Sequence, residues 1–369
     1  MDATTSWLNI LGDFHQEIGV MTAAFGDALP VGLFRSRALT RRCIIREKAW
    51  VAVTTSSDNS AKIWCIETGR CVRTLTGHTN MVRSAQVSST LDMVATCSED
   101  GSVRIWTLKD GICISTMRWQ NVGYHTERDG WENGVTSAEF SRSGKSILVS
   151  SVNPPFVVIV NSDGTQLRFS GHNDAVNSAV FSQDCRRVLT ASDDGTAQIS
   201  SAETGTSLVT FTVSDSWVMD AEFAPDEMRI VTVSWDIANA EAQAHGEFEG
   251  ANARVTLWNA HGVCLARFAV HNSIVKTAVF APNGTQILTA SADGSAKILS
   301  DTGTLVQEFT HGRMLPEAGI NSARFSADGR YVITAANDWT ARVWCVASGK
   351  NVQTLCGHTG TVLFATLST

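Results

Sequence analysis

Residues 95–106 read ATCSEDGSVRIW, and close relatives of this stretch recur as VTTSSDNSAKIW (53–64), LTASDDGTAQIS (189–200), LTASADGSAKIL (288–299) and ITAANDWTARVW (333–344). Each holds a Thr and an Asp four residues apart between β-branched, apolar runs. Most close on Trp six residues after the Asp. Such an Asp could be a catalytic carboxylate, a metal ligand or a structural element, and its spacing decides among the three.

A second block surrounds the first. An apolar residue, a small residue three later and an apolar residue five later stand at Val82/Ala85/Val87, Val135/Ala138/Phe140, Val176/Ala179/Phe181, Val218/Ala221/Phe223, Val275/Ala278/Phe280, Ile320/Ala323/Phe325 and Val362/Ala365/Leu367. Successive blocks start 53, 41, 42, 57, 45 and 42 residues apart, a base period near 42 with three insertions. That period matches a four-stranded propeller blade. Tight turns separate the apolar runs, so each unit reads as four short antiparallel strands, a to d from first to last.

These units resemble WD repeats. Gly-His stands before strand a at Gly77-His78, Gly171-His172 and Gly357-His358, and Trp closes strand c at Trp64, Trp106, Trp258 and Trp344. No Asp follows any of these Trp residues. The likeness runs from about residue 44 to 369 and implies an all-β, seven-bladed β-propeller of four-stranded antiparallel blades. It also implies a buried His, Thr, Asp and Trp tetrad within a blade. Asp100 lies 22 residues after His78, with Thr96 and Trp106 at the matching offsets. His172/Thr190/Asp194 and His271/Thr289/Asp293 repeat the spacing, with Ser200 and Leu299 in place of Trp. His311, 27 residues before Asp338, is a less regular partner for Thr334, Asp338 and Trp344. A catalytic set is needed once, whereas this one is distributed around a ring, so the Asp is read as structural.

The first repeat opens at strand b (AWVAVTT, 49–55) and the chain stops after a lone strand a (TVLFATLST, 361–369). The simplest closure slots that last strand into the first blade, joining His358 to Thr54, Asp58 and Trp64 and removing two sheet edges. A competing partner is TRRCII (40–45), which would leave the tail as the start of an eighth blade.

The insertions, about 121–134, 237–252 and 311–320, fall in d–a or b–c loops, on one face of such a ring. Long loops on one rim of a rigid scaffold mark a binding face. The residue before each turn Asp is expected on that face near the channel mouth, among them Glu99, Asp193, Trp235 and Asn337. Trp217, Arg83 and Lys276 flank the entrance of strand a. Trp217 and Trp235 share a blade and suggest an aromatic anchor.

Composition agrees with a binding module. The chain has 29 Lys and Arg against 36 Asp and Glu, a net charge of −7, which disfavours nucleic acid as a partner. Nine cysteines without a C-x-x-C pair suggest a reducing compartment, cytoplasm or nucleus. No signal peptide or membrane-spanning stretch is read, and no cofactor, metal or small-molecule substrate is expected. Residues 1–43 form an N-terminal extension with a possible short helix after Thr5-Ser6. The expectation is a non-enzymatic scaffold for protein or peptide partners, with a reader of basic, histone-like peptides as the alternative and a propeller enzyme less favoured.

Overall fold

The computed structural model describes residues 50–119, 134–213, 216–236, 253–311 and 319–368. Within them the chain forms seven sheets of four antiparallel strands. Blade 1 holds β1 (Val51–Ser56), β2 (Ser60–Cys65), β3 (Arg70–Thr76) and, as its innermost strand, the last of the chain, β28 (Val362–Leu367). Blades 2 to 7 follow in order: β4 (Val82–Val87) to β7 (Cys113–Arg118), β8 (Val135–Phe140) to β11 (Gln166–Phe169), β12 (Val176–Phe181) to β15 (Ser207–Thr212), β16 (Ser216–Phe223) to β19 (Cys264–Phe268), β20 (Val275–Phe280) to β23 (Leu305–Thr310), and β24 (Ile320–Phe325) to β27 (Asn351–Cys356). Each innermost strand packs against the innermost strands on both sides, β28 against both β24 and β4, so the ring is closed. The expectation for the C-terminal strand holds: Ala52 pairs with Leu367 and Thr54 with Ala365.

The odd spacing of the strand a block has a geometric cause. A period of two would put residues three apart on opposite faces. In blades 2 to 7 a β-bulge interrupts the a–b pairing just after the first apolar residue, between Val82 and Ser84 in blade 2 and at the equivalent place elsewhere. Two residues then oppose one, and the alternation flips. Val82 and Ala85 are therefore both buried, at 0% and 2% exposure.

Burial peaks in strand b, since the innermost strands are half-buried toward the channel at several positions. Strand b, between a and c, is buried along its whole length in β1 and in β5 (Met93–Ser98), while strand d is largely exposed. The core lies between blades. Val53, Ile63 and Leu75 of blade 1 pack on Ala85, Val94 and Trp106 of blade 2. Ile333, Val343 and Leu355 of blade 7 pack on Trp64, Val362 and Leu367 of blade 1 in the same way. The seam closed by the chain ends thus has the same apolar filling as an ordinary blade boundary. At about 25 cal/mol per Å² of buried apolar surface, such interfaces dominate the favourable side of folding.

Candidate protein-interaction face

One face is organised by a hydrogen-bonded chain within the blade. In blade 2, Trp106 Nε1 donates to Thr96 Oγ1 at 2.8 Å, Thr96 Oγ1 lies 2.8 Å from His78 Nε2, and His78 Nδ1 lies 2.9 Å from Asp100 Oδ2. Indole is a donor only, so every group is satisfied when the hydroxyl donates to a neutral imidazole and Nδ1–H donates to the carboxylate. The second Asp100 oxygen accepts from the Ser102 hydroxyl and amide at 2.5 and 2.9 Å, and the Thr79 amide donates to Oδ2 at 3.0 Å. Asp100 thereby ties the d–a loop to the b–c turn. Both loops lie on one face.

Blade 1 repeats the arrangement across the closing seam. His358 Nδ1 stands 2.8 Å from Asp58 Oδ2 and Nε2 stands 2.8 Å from Thr54 Oγ1, to which Trp64 Nε1 donates at 2.8 Å. Blade 7 has all four groups despite its wider spacing: His311 is 3.1 Å from Asp338 and 2.6 Å from Thr334, and Trp344 donates to Thr334 at 2.8 Å. Blades 4 and 6 have three members. His172 meets Asp194 and Thr190 at 2.8 and 2.7 Å, and His271 meets Asp293 and Thr289 at 2.9 and 2.7 Å. Burial alone would raise the carboxyls of Asp58, Asp100, Asp194 and Asp293, but the hydrogen bonds from histidine, hydroxyl and amide hold Asp58, Asp100 and Asp293 well below the usual range and lower Asp194 as well. The same balance holds Asp338 at about 2. Burial lowers the His311 imidazole, opposed by its bond to Asp338.

The residue before each turn Asp is anchored through its backbone. The amides of Ser57, Glu99, Asp193, Ala292 and Asn337 donate to carbonyls of the d–a loop at 2.8 to 3.1 Å. Three of their side chains, those of Glu99, Asp193 and Asn337, meet the residue that follows the first apolar residue of strand a in the same blade. Arg83 Nε forms an ion pair with Glu99 at 2.7 Å, Asn177 Nδ2 donates to Asp193 Oδ1 at 2.6 Å, and Asn321 Nδ2 donates to Asn337 Oδ1 at 2.8 Å. The Glu99 side chain is only 7% exposed and its charge is already matched. Asp193 is half-buried, and burial raises its carboxyl against the bond from Asn177. These two acids therefore face inward to blade partners.

The aromatic pair is assembled. Trp217 and Trp235 stand directly across the first pair of strands in blade 5, with ring centroids 5.4 Å apart and planes at 72°. Both are half-buried. Beside them Asp236 pairs with Arg254 at 3.7 Å, and Trp258 donates to Thr232 at 2.9 Å. Lys276 lies on the innermost strand of blade 6, half-buried. Burial lowers its amine, and so does the positive charge of Arg83 from blade 2, three blades away. Charges so placed face one another across the central channel.

Sequence reasoning missed Trp339. It follows the turn Asp of blade 7, where blades 2, 4 and 6 place Gly101, Gly195 and Gly294, and it takes the same left-handed conformation, with φ of 66°. For a bulky side chain this costs about 1–2 kcal/mol. The ring is nonetheless 54% exposed. Among the described residues, the other large exposed apolar side chains, Ile112, Leu208, Met228, Val263, Leu265, Leu305, Val306 and Val352, lie on outer strands or on the a–b and c–d turns. The signal available in the sequence was a Trp at a position that three other blades fill with glycine and blade 1 with Asn59.

The three insertions lie almost wholly outside the described residues, as do residues 1–43 with their possible helix, the competing strand at 40–45, and Trp131 and Ser214, which replace histidine in blades 3 and 5.

Comparison with known families agrees with this architecture. A family model described as "WD domain, G-beta repeat" matches residues 69–107, 163–199, 262–300 and 303–345. The chain is 29% identical over 200 residues to nuclear distribution protein PAC1 of Arthroderma otae, covering 51% of this chain and 40% of that protein. It is 29% identical over 256 residues to nuclear distribution protein PAC1-2 of Uncinocarpus reesii, covering 64% and 53%. With a periodic tryptophan protein 2 homologue of Caenorhabditis elegans the identity is 25% over 134 residues, 35% of this chain and 14% of that one. The chain thus spans about half or less of these relatives. With four matched repeats and seven four-stranded blades, it belongs to the WD40-repeat family of β-propellers.

Proposed function

We propose that this propeller is a non-enzymatic scaffold that binds protein or peptide partners on the face carrying the d–a and b–c loops. WD40 propellers generally bind proteins. The observation that carries the assignment to this face is Trp339, an exposed indole held in a strained conformation by an otherwise rigid turn. Strain and exposure both oppose folding stability, and partner binding is the gain that offsets them. The edge-to-face pair of Trp217 and Trp235 adds an aromatic surface on the same face. The inward pairing of Glu99 and Asp193 removes the acidic mouth that a basic peptide would need.

The residues most suited to enzymatic acid–base work, the His–Asp pairs, are bound into the blade networks, which supports a binding role. Among the described residues eight cysteines are free thiols, in keeping with cytoplasm or nucleus. The test is affinity purification with the full chain beside a variant whose loops 120–133, 237–252 and 312–318 are replaced by short turns. Loss of the recovered partners supports the assignment; recovery of the same partners by a folded variant overturns it.

A further inference from the structure

The channel mouth follows a matching rule. Two positions set it in each blade: the residue after the first apolar residue of the strand a block and the residue before the turn Asp or the Asn153 that replaces it. Blade 2 matches Arg83 with Glu99, blade 4 Asn177 with Asp193, and blade 7 Asn321 with Asn337. Asn177 and Asn321 also donate to the next blade, to the carbonyls of Val218 and Val362 at 3.0 and 2.9 Å. Where that residue is apolar, as with Met219 and Leu363, there is no polar group to match, and in blade 3, where the opposite position is Val152, Thr136 instead donates to the Val176 carbonyl of blade 4 at 2.8 Å.

Blade 6 breaks the rule. Its second residue is Lys276 and its residue before the turn Asp is Ala292, a methyl group where blade 2 offers a carboxylate. Among the described residues the Lys276 amine meets no carboxylate and makes no hydrogen bond. Lys297, in the same blade, donates to the Val270 carbonyl at 2.8 Å and pairs with Glu308 at 3.7 Å. The orphan is thus specific to the mouth. Arg83, the other mouth cation, repels Lys276, and its own carboxylate is already engaged. The innermost strand of blade 5, which carries Met219 and the Trp217 that pairs with Trp235, packs directly on that of blade 6.

We propose that Lys276 receives an aspartate or glutamate side chain of a partner peptide, inserted at the channel mouth with its apolar flank against Trp217 and Trp235. The carboxylate supplies in trans the group that Ala292 omits. A charge pair removed from solvent in this way contributes both orientation and discrimination against basic ligands. The inference rests on the binding face proposed above and names the chemistry that face selects.

The test is selection of displayed 12-residue peptides on the immobilised full chain. Three kinds of variant run in parallel. Lys276→Glu reverses the charge. Ala292→Glu leaves the lysine but installs the partner that Glu99 provides in blade 2. Trp339→Gly and Trp235→Ala report on the face, and each variant is first checked for an intact melting transition. Acidic peptides from the wild-type chain that bind at least about tenfold more weakly to both Lys276→Glu and Ala292→Glu support the proposal. Enrichment of basic or uncharged peptides, or of none, overturns it. Acidic peptides that lose affinity with Trp339→Gly or Trp235→Ala but not with the charge variants overturn the role of Lys276 and leave the face standing. Peptides that bind all variants equally overturn both.

Discussion

His358 and Asp58 stand 300 residues apart in the chain and 2.8 Å apart in the fold. Their contact joins the last strand to the first blade at the seam where the ring closes. It does so with the same groups and nearly the same distances as His78 and Asp100 inside blade 2, 2.9 Å apart. An ordinary blade is covalently continuous, whereas this one is held by its ladder, its core and the His–Asp contact.

His358→Ala leaves the Asp58 carboxylate and Thr54 hydroxyl short of a partner, and the expected cost is about 2–4 kcal/mol. Denaturant unfolding gives the equilibrium value. The unfolding rate should rise more for His358→Ala than for His172→Ala, because only the former loosens the closing strand.

Trp106→Phe keeps most of the indole volume and removes one donor to Thr96. The expected loss is about 1–2 kcal/mol, with an unchanged circular dichroism spectrum. A melting temperature equal to wild type would show that the indole contributes by packing alone.

Low pH tests the carboxylates. Asp58, Asp100, Asp194, Asp293 and Asp338 are all held below their unfolded values, so the native state binds fewer protons than the unfolded chain. Their contribution is present above the ordinary carboxylate range and is lost as pH falls through the lowered native values, that of Asp338 lying at about 2. Melting temperature should therefore drop steeply below about pH 4, and Asp100→Asn should start lower and drop less.

The channel carboxylates act in the opposite direction. Glu139 accepts from the Phe181 amide at 2.9 Å and from Gln86 at 3.3 Å, yet burial pushes it up to about 8. Burial, opposed by Arg324 and helped by Asp220, pushes Glu222 up to about 7. For these groups the native state binds more protons, so stability declines as pH rises from about 5 to 8. Glu139→Gln should flatten that decline by roughly 1–3 kcal/mol, allowing for solvent in the channel. Parallel pH profiles of the two proteins would contradict the buried setting.

The fold was legible because period, punctuation and the strand a block are local properties of the chain. Even the irregular apolar spacing of Val82 and Ala85 carried the bulge that the structure contains. The mouth of the channel was less legible. Glu99 and Asp193 were expected to face a partner, and their side chains pair with Arg83 and Asn177 instead, because the bulge aims the second residue of strand a at the same point. That convergence is a cross-strand property that no single stretch of sequence displays. Ala292 was visible as a small residue, but its meaning appears only beside Lys276. Trp339 was hidden by its neighbours in the motif, since the repeat reads correctly around it while its backbone angle is what sets it apart.

Trp339→Gly puts into blade 7 the residue found at the same place in blades 2, 4 and 6, and it removes the left-handed strain. The variant should be about 1 kcal/mol more stable than wild type. The most direct measurement is quantitative affinity purification with this variant beside Leu208→Ser, which alters an exposed apolar residue on the outer strand of blade 4. The account predicts that Trp339→Gly loses the partners while gaining stability, and that Leu208→Ser keeps them. Partners retained by Trp339→Gly and lost by Leu208→Ser would place binding on the outer rim and contradict it.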